Sequence, residues 1–415
     1  MNAVKPGLLA SRRGFGNIAF LLAQLVVILG VCGLLVWRVR QIDSARILPE
    51  PRRTPLVVKP LYNEPTVVTD EQLATVLEKL EPRLRSEQPK INHADHALRL
   101  WGVEAKFDAP ESLSGEELRE LLLDHRRFAK MWLGEARPLL IRDAGGVRVR
   151  TQEGAATASH VDHTLACLAE AGTPLDYVVH TADGQATLRD LLMRSLKVFA
   201  LDQVEYEWSS LAYTLYLPPT TRWYTTDGQE ITFDRLAERL MREPLSRGVC
   251  AGNHRLHALV MMLRVDQQQR ILSDDARRRI VAHLQDATRR LVENQHRDGY
   301  WDVDWPTQPA GDERVNAQGA DQLSKRILAT GHALEWWALA PAETHPPRET
   351  LVRAGQWLVR TINELDDKQV GDYYTFLTHA GRALALWRGD FPAALHQRLH
   401  GSKSPPASDA DEPST

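Results

Sequence analysis

The sequence predicts an all-α fold, an α/α barrel (toroid) of helical hairpins preceded by a single N-terminal transmembrane helix. Three observations predict it: one uninterrupted apolar run near the N-terminus, short apolar segments with polar or histidine heads that recur, and longer amphipathic segments between them.

The chain starts with a 17-residue tail, followed by the apolar run at 18–37, "IAFLLAQLVVILGVCGLLVW", in which Gln24 is the one strongly polar residue. At the rise of an α-helix this run is about 30 Å long, one hydrocarbon core thickness. It is too long for the apolar stretch of a signal peptide, and "WRVRQ" follows in place of a small-residue cleavage site, so it reads as an uncleaved single-pass anchor. Basic residues lie on both sides, Lys5, Arg12 and Arg13 before it and Arg38, Arg40, Arg46, Arg52 and Arg53 after it. The positive-inside count favours a cytoplasmic body, whereas a short anchor behind a double arginine fits an exported one; the side of the membrane stays open. Residues 38–69 hold prolines at 49, 51, 55, 60 and 65 and read as an extended spacer. Residues 70–400 form the body, and 401–415, "GSKSPPASDADEPST", are expected to be disordered.

Within the body, the segments 159–172, 205–217, 250–263, 329–340 and 375–387 each open on a polar or histidine head and continue in Leu, Ala and aromatics. With His163, Trp208, His254, His332 and His379 as markers, the steps are 45, 46, 78 and 47 residues, the long one containing an extra loop over 298–328. Amphipathic helices are expected near 187–200, 232–242, 275–296 and 348–364; in the third, Ile280, Leu284, Ala287 and Leu291 share a face and Asp274 and Asp275 cap the start. Apolar helices covered on all sides make an inner ring, and amphipathic ones an outer ring. "GGVRVRTQ" and "TRWYTTDGQEITF" read as short hairpins. Parallel inner helices bring their heads to one mouth.

At "QHRDGYW" (295–301) the chain resembles the Gln-x-x-x-Gly-x-Trp half of the repeat motif of squalene-hopene cyclases, with Arg290 at the motif's upstream aromatic position. "TGHALEW" (330–336) is similar to a Gly-His-x-x-Glu-Trp stretch of N-acylglucosamine 2-epimerase-like barrels, and 155–390 looks most like uncharacterised membrane-tethered bacterial toroid proteins. These likenesses imply a toroid fold rather than an activity. The Asp-x-Asp-Asp of hopene cyclases and the diphosphate-binding Asp-Asp-x-x-Asp are absent; Asp302-Val303-Asp304-Trp305 is the nearest approach. The zinc-site signature of protein prenyltransferase β subunits, which hold the metal through Asp, Cys and His, is also missing.

The candidate catalytic residues are His332 and Glu335, which share a helix face, with Glu207 and His254. Glu205 and Glu207 head an apolar helix, where each either pairs with Arg255 or Arg326 or keeps a raised pKa and acts as an acid. Asn253, Asp302, Asp304, Trp301, Trp305, His163, His379 and Tyr374 are candidates for substrate contact, Trp305 being the aromatic expected to be exposed. Cys250 and His254 lie within reach of zinc together with His332 or His379, but nothing of CxxC density supports a metal, and neither metal nor cofactor is expected. With 51 basic and 54 acidic residues, electrostatics exclude a nucleic-acid partner. Three cysteines rule out a disulfide framework. Two functional classes follow: a tethered enzyme acting on a carbohydrate or isoprenoid-like small molecule, and a non-catalytic anchored scaffold with a filled ring. The expected partners are the membrane, through the N-terminal helix, and a small-molecule or glycan ligand.

Overall fold

Helix starts in this chain are written in local chemistry. Thr69 with Gln72, Ser114 with Glu117, Thr187 with Asp190, and Asp366 with Gln369 each form a reciprocal capping box that satisfies backbone donors otherwise left open. Ser273 caps the long amphipathic helix by accepting from Ala276 N, so Asp274 and Asp275 fall in its first turn, where they complement the helix dipole.

A computed structural model describes residues 11–45, 48–219, 221–225, 228–307 and 320–401. The protein is mostly helical. Its helices are α1 (Ser11–Ala45), α2 (Asp70–Lys79), α3 (Ile91–Trp101), α4 (Gly115–Leu123), α5 (His125–Met131), α6 (His163–Glu170), α7 (Leu188–Val198), α8 (Glu207–Tyr216), α9 (Phe233–Arg242), α10 (Asn253–Gln269), α11 (Asp274–Asn294), α12 (Ala320–Leu339), α13 (Arg348–Glu364), α14 (Asp367–Leu386) and α15 (Pro392–Gly401). The strands β1 (Leu140–Asp143) with β2 (Gly146–Val149), β3 (Val178–Thr181) with β4 (Gly184–Thr187), and β5 (Trp223–Tyr224) with β6 (Glu230–Ile231) make three antiparallel hairpins. The middle hairpin is an addition to the two expected from sequence.

Helix α1 is long and apolar enough over Phe20–Arg38 to cross a membrane, judged by length and composition. It extends beyond the 18–37 span in both directions. The expected tail at 401–415 lies, from 402 onward, outside the described residues.

The nearly all-apolar helices contact one another in an unbroken cycle: α3 packs on α6, α6 on α8, α8 on α10, α10 on α12, α12 on α14, and α14 back on α3. Every residue of α8 is buried, as are α10 from Asn253 to Asp266 and α14 from Leu377 to Leu386. Outside them lie one-sided helices: α4 against α3, α9 against α10 and α11, α13 against α12 and α2. Gly331 of α12 permits one of the closest approaches, since a Cβ there would meet Ala380 N of α14 at 2.8 Å.

Residues 51–69 run as an extended strap that binds across the C-terminal ends of the inner helices, in ring order. Leu175 N, beyond α6, donates to Arg53 O (2.7 Å), and Arg52 N and Leu56 N donate to Tyr216 O and Leu215 O at the end of α8 (2.8 and 3.0 Å). Arg264 of α10 reaches Lys59 O (3.1 Å), Tyr62 Oη donates to Ala340 O beyond α12 (2.8 Å), and Glu64 N donates to Trp387 O beyond α14 (2.7 Å). Proline stops this strap from forming regular structure of its own, while its free carbonyls and amides pair with helix ends that need partners.

Candidate functional site

Six inner helices send polar side chains to the same buried centre, in two levels. The upper level is histidine: His96 from α3, His163 from α6, His254 from α10, His332 from α12 and His379 from α14. Adjacent rings touch: His332–His379 centroids are 3.9 Å apart, His96–His163 4.4 Å and His254–His332 4.7 Å. Trp208, near the start of α8, fills the remaining place with its ring against His163 (4.4 Å) and His254 (4.5 Å). About one helical turn toward the C-terminus in each of four helices lie Arg99, His257, Glu335 and Arg382, joined by Glu170 two turns below His163. In α3, α10, α12 and α14 the step is three residues and in α6 it is seven, always toward the C-terminus, which requires these five helices to run parallel.

The lower level is a closed square of ion pairs. Arg99 meets Glu170 and Glu335, each at 2.6 Å, and Arg382 meets Glu335 at 2.5 Å and Glu170 at 2.8 Å. All four side chains are at most 5% exposed. Burial alone would push both carboxyls up; the two guanidiniums, helped by neighbouring histidines, outweigh it and hold both well below the usual carboxylate range. Arg99 is likewise driven above its ordinary value, burial opposing and the two glutamates prevailing.

Carboxylates also orient the histidines. Glu335 Oε2 lies 3.0 Å from His379 Nδ1 and 3.5 Å from His332 Nδ1. Asp95 takes His163 Nδ1 at 2.8 Å and His96 Nδ1 at 3.0 Å. A carboxylate facing Nδ1 selects the Nδ1–H tautomer and leaves Nε2 with its lone pair. His332 Nε2 then faces His254 Nε2 at 3.2 Å. Burial, reinforced by the neighbouring rings, pushes His254 and His379 well below the ordinary histidine value, and burial takes His163 to about 4. These imidazoles are neutral near pH 7.

Of the sequence-predicted residues, His163, His254, His332, Glu335 and His379 meet here. Asn253 sits beside them with its amide turned to Cys250 O (2.9 Å). Glu207, at the head of α8 and 3% exposed, forms no ion pair with Arg255 or Arg326: Arg255 donates to Glu243 O and Pro244 O, and Arg326 to Asp302. Burial therefore raises its pKa. Its neighbour Glu205 pairs with His160 Nδ1 at 3.1 Å.

The other candidates go elsewhere. Trp305 is fully buried, correcting the expectation of an exposed loop aromatic, because the loop folds back onto the core. Trp301 donates Nε1 to Leu291 O (2.7 Å) and packs on Trp337, and Tyr374 Oη donates to Leu80 O. Asp302 binds Arg326 Nε (2.8 Å) and Gln322 Nε2 (2.9 Å), while Asp304 O accepts from Thr307 N (2.9 Å).

Sequence reasoning missed α3 with Asp95, His96 and Arg99, and it missed Glu170, His257 and Arg382. The signal for α3 was available, since "NHADHALRLW" has the same histidine-headed Leu/Ala pattern as four of the five segments recognised.

The loop before α10 is unusual. Cys250 (φ 51°, ψ 45°), Ala251 (φ 55°, ψ 35°) and Gly252 (φ 74°, ψ 3°) form three consecutive left-handed residues. Only Gly252 adopts this without strain; a Cβ there would meet Leu245 Cδ2 at 2.7 Å. The turn places Cys250 with its Sγ among the ring nitrogens of His254 and His332, the three ligand-capable atoms lying within 4.8 Å of one another. Burial, with Glu207 and Glu205 adding to it, pushes the Cys250 thiol up to about 12. Two further triads are drawn together as closely, Asp95–His96–His163 and His332–Glu335–His379. No known protein family, curated protein or solved structure matches this chain.

Proposed function

We propose that the protein is a membrane-tethered α/α toroid whose histidine level performs proton-transfer chemistry on a small polar molecule of the carbohydrate class. The toroid reading draws on the unbroken contact cycle of six inner helices with one-sided helices outside it. It also draws on a local role of the motif glutamine: Gln295 Nε2 donates to Gly299 O and Thr350 O, tying down a helix start, while Trp301 packs edge-on against Trp337. The resemblance to squalene-hopene cyclases implies that same role for the glutamine.

One observation carries the functional reading: His332, backed by Glu335, presents Nε2 to His254 Nε2 at 3.2 Å. A ring whose Nδ1–H is held by a carboxylate is a base at Nε2, and the facing imidazole passes the proton to or from the rim. Glu207, buried and paired with neither Arg255 nor Arg326, is a carboxyl suited to the opposite, acid role. The ligand class follows from what surrounds them. Imidazoles line the level, the ring axis is charged, and Trp208, the aromatic of this level, is already packed against His163 and His254, a setting suited to a polar ligand rather than an isoprenoid.

The test is a thermal-shift screen of the detergent-solubilised full chain against mono- and oligosaccharides, followed by turnover assays on hits. A stabilising sugar whose effect disappears in both His332→Gln and Glu207→Gln supports the reading. A second reading, an anchored scaffold with a filled ring, draws on the satisfied Arg99–Glu170–Arg382–Glu335 square that occupies the axis. It takes over if no sugar shifts the melting temperature while the chain captures a protein partner equally well with His332→Gln.

A further inference from the structure

We infer that Cys250 Sγ, His254 Nε2 and His332 Nε2 form a three-ligand site for a divalent transition metal of the zinc type. The inference rests on the histidine level being a working site, and it makes the His332 lone pair a metal ligand.

Geometry selects this triad from the three. In His332–Glu335–His379 the carboxylate already touches Arg99 at 2.6 Å and Arg382 at 2.5 Å, so a dication there would meet two buried cations. In Asp95–His96–His163 both carboxylate oxygens are occupied, one by His96 and the other by His163 and Thr164. At the Cys250 triad, among the described residues, neither carboxylate nor guanidinium contacts the three ligand atoms, and the nearby buried Glu207 is paired with neither Arg255 nor Arg326.

The separation fits as well. Nitrogens bound to zinc at about 2.0–2.1 Å with tetrahedral angles stand about 3.3 Å apart; His254 Nε2 and His332 Nε2 are 3.2 Å apart. One thiolate and two neutral imidazoles make a borderline-soft donor set that prefers zinc or cobalt to calcium or magnesium. Glu335 behind His332 is the carboxylate partner that metal-bound histidines commonly have.

Backbone strain sits at the same point. A left-handed conformation is sterically costly for a non-glycine residue, and here it falls on Cys250 and Ala251. Asn253 holds the turn by donating Nδ2 to Cys250 O at 2.9 Å. Strain of this kind persists where the surroundings enforce it, and it concentrates at sites where a side chain must be aimed. On binding, the Cys250 S–H proton leaves to solvent and the thiolate takes the metal, with no change of oxidation state.

Cobalt(II) is the probe, because thiolate ligation produces a charge-transfer absorption that imidazole and water do not. The full chain, stripped with chelator and titrated with cobalt(II), is expected to bind one equivalent and develop that band. A Cys32→Ser/Cys167→Ser double variant must keep it, which leaves Cys250 as its source. His254→Gln and His332→Gln are each expected to weaken cobalt affinity at least about tenfold. Absence of the band in the double variant overturns the proposal even if Cys250→Ser fails to fold. Sugar binding without a cobalt band removes the metal and leaves the proposed function standing; a cobalt band without any sugar ligand does the reverse.

Discussion

Replacing Arg382 by Met tests the buried square most directly. The guanidinium bridges Glu335 at 2.5 Å and Glu170 at 2.8 Å, and Arg99 bridges the same two carboxylates from the other side, so the four charges sum to zero in a region at most 5% exposed. Methionine conserves most of the apolar stem but leaves one carboxylate uncompensated. Breaking a buried pair from one side costs about 3–5 kcal/mol. At roughly 2 °C per kcal/mol for a body of this size, the melting temperature should fall by about 6–10 °C. Adding Glu170→Gln removes the surplus negative charge and leaves one Arg99–Glu335 pair, so the double variant should recover part of the loss, with a coupling energy of about 1–3 kcal/mol. Both quantities are read by thermal and denaturant unfolding of the detergent-solubilised chain followed by circular dichroism. A loss below about 1 kcal/mol for Arg382→Met, or strict additivity in the cycle, would refute the claim that the square is electrostatically closed.

Further outcomes follow from other parts of the molecule. Glu117, hydrogen-bonded to Arg85 and capping at Ser114, has its pKa lowered from 4.5 to about 2, so its contribution is complete above pH 4.5 and is lost as pH falls toward 2; Glu117→Gln should flatten the stability–pH curve in that window, as followed by acid titration of the unfolding midpoint. Gly371, exposed in α14 and with open space for 4 Å around the position a Cβ would take, should gain about 0.5–1 kcal/mol on replacement by Ala, whereas Gly252→Ala should lose at least about 1–2 kcal/mol through its left-handed φ and the Leu245 clash; chemical denaturation distinguishes the two signs. Tyr62→Phe, which deletes the donor to Ala340 O, should cost about 0.5–1.5 kcal/mol and raise protease cleavage within 51–69.

The inner helices were legible because burial on every side leaves a compositional trace: Leu, Ala and aromatic runs interrupted by single histidines. The convergence of His254, His332 and His379 could be argued from that pattern, since equivalent positions on parallel helices meet. The ion-pair square could not. Arg99 lies 71 residues from Glu170 and Arg382 lies 212 from it, and each looks in isolation like the charged edge of a helix. Ring closure alone makes them neighbours. Helix α3 escaped notice for a related reason: His96 stands 67 residues before His163, off the 45-residue step, with α4, α5 and the first hairpin intervening. The prolines of 51–69 suggested extension and rightly gave it, but composition carries no information about which helix ends an extended segment will meet. Trp305 between Asp304 and Pro306 looked solvent-facing because loop sequence does not reveal how a loop folds back.

The strap also orients the molecule. Its first anchored residue, Arg52, binds Tyr216 O and Leu217 O, seven residues after α1 ends at Ala45. Seven residues reach at most about 25 Å, so the C-terminal end of α1 stays close to the face where the inner helices finish. The histidine level sits at the start of α6, α8 and α10, where His163, Trp208 and His254 stand, and farther along α3, α12 and α14. With α1 seated in a bilayer, the strap would turn the face where these helices finish toward the lipid and limit how far the body can swing away from it.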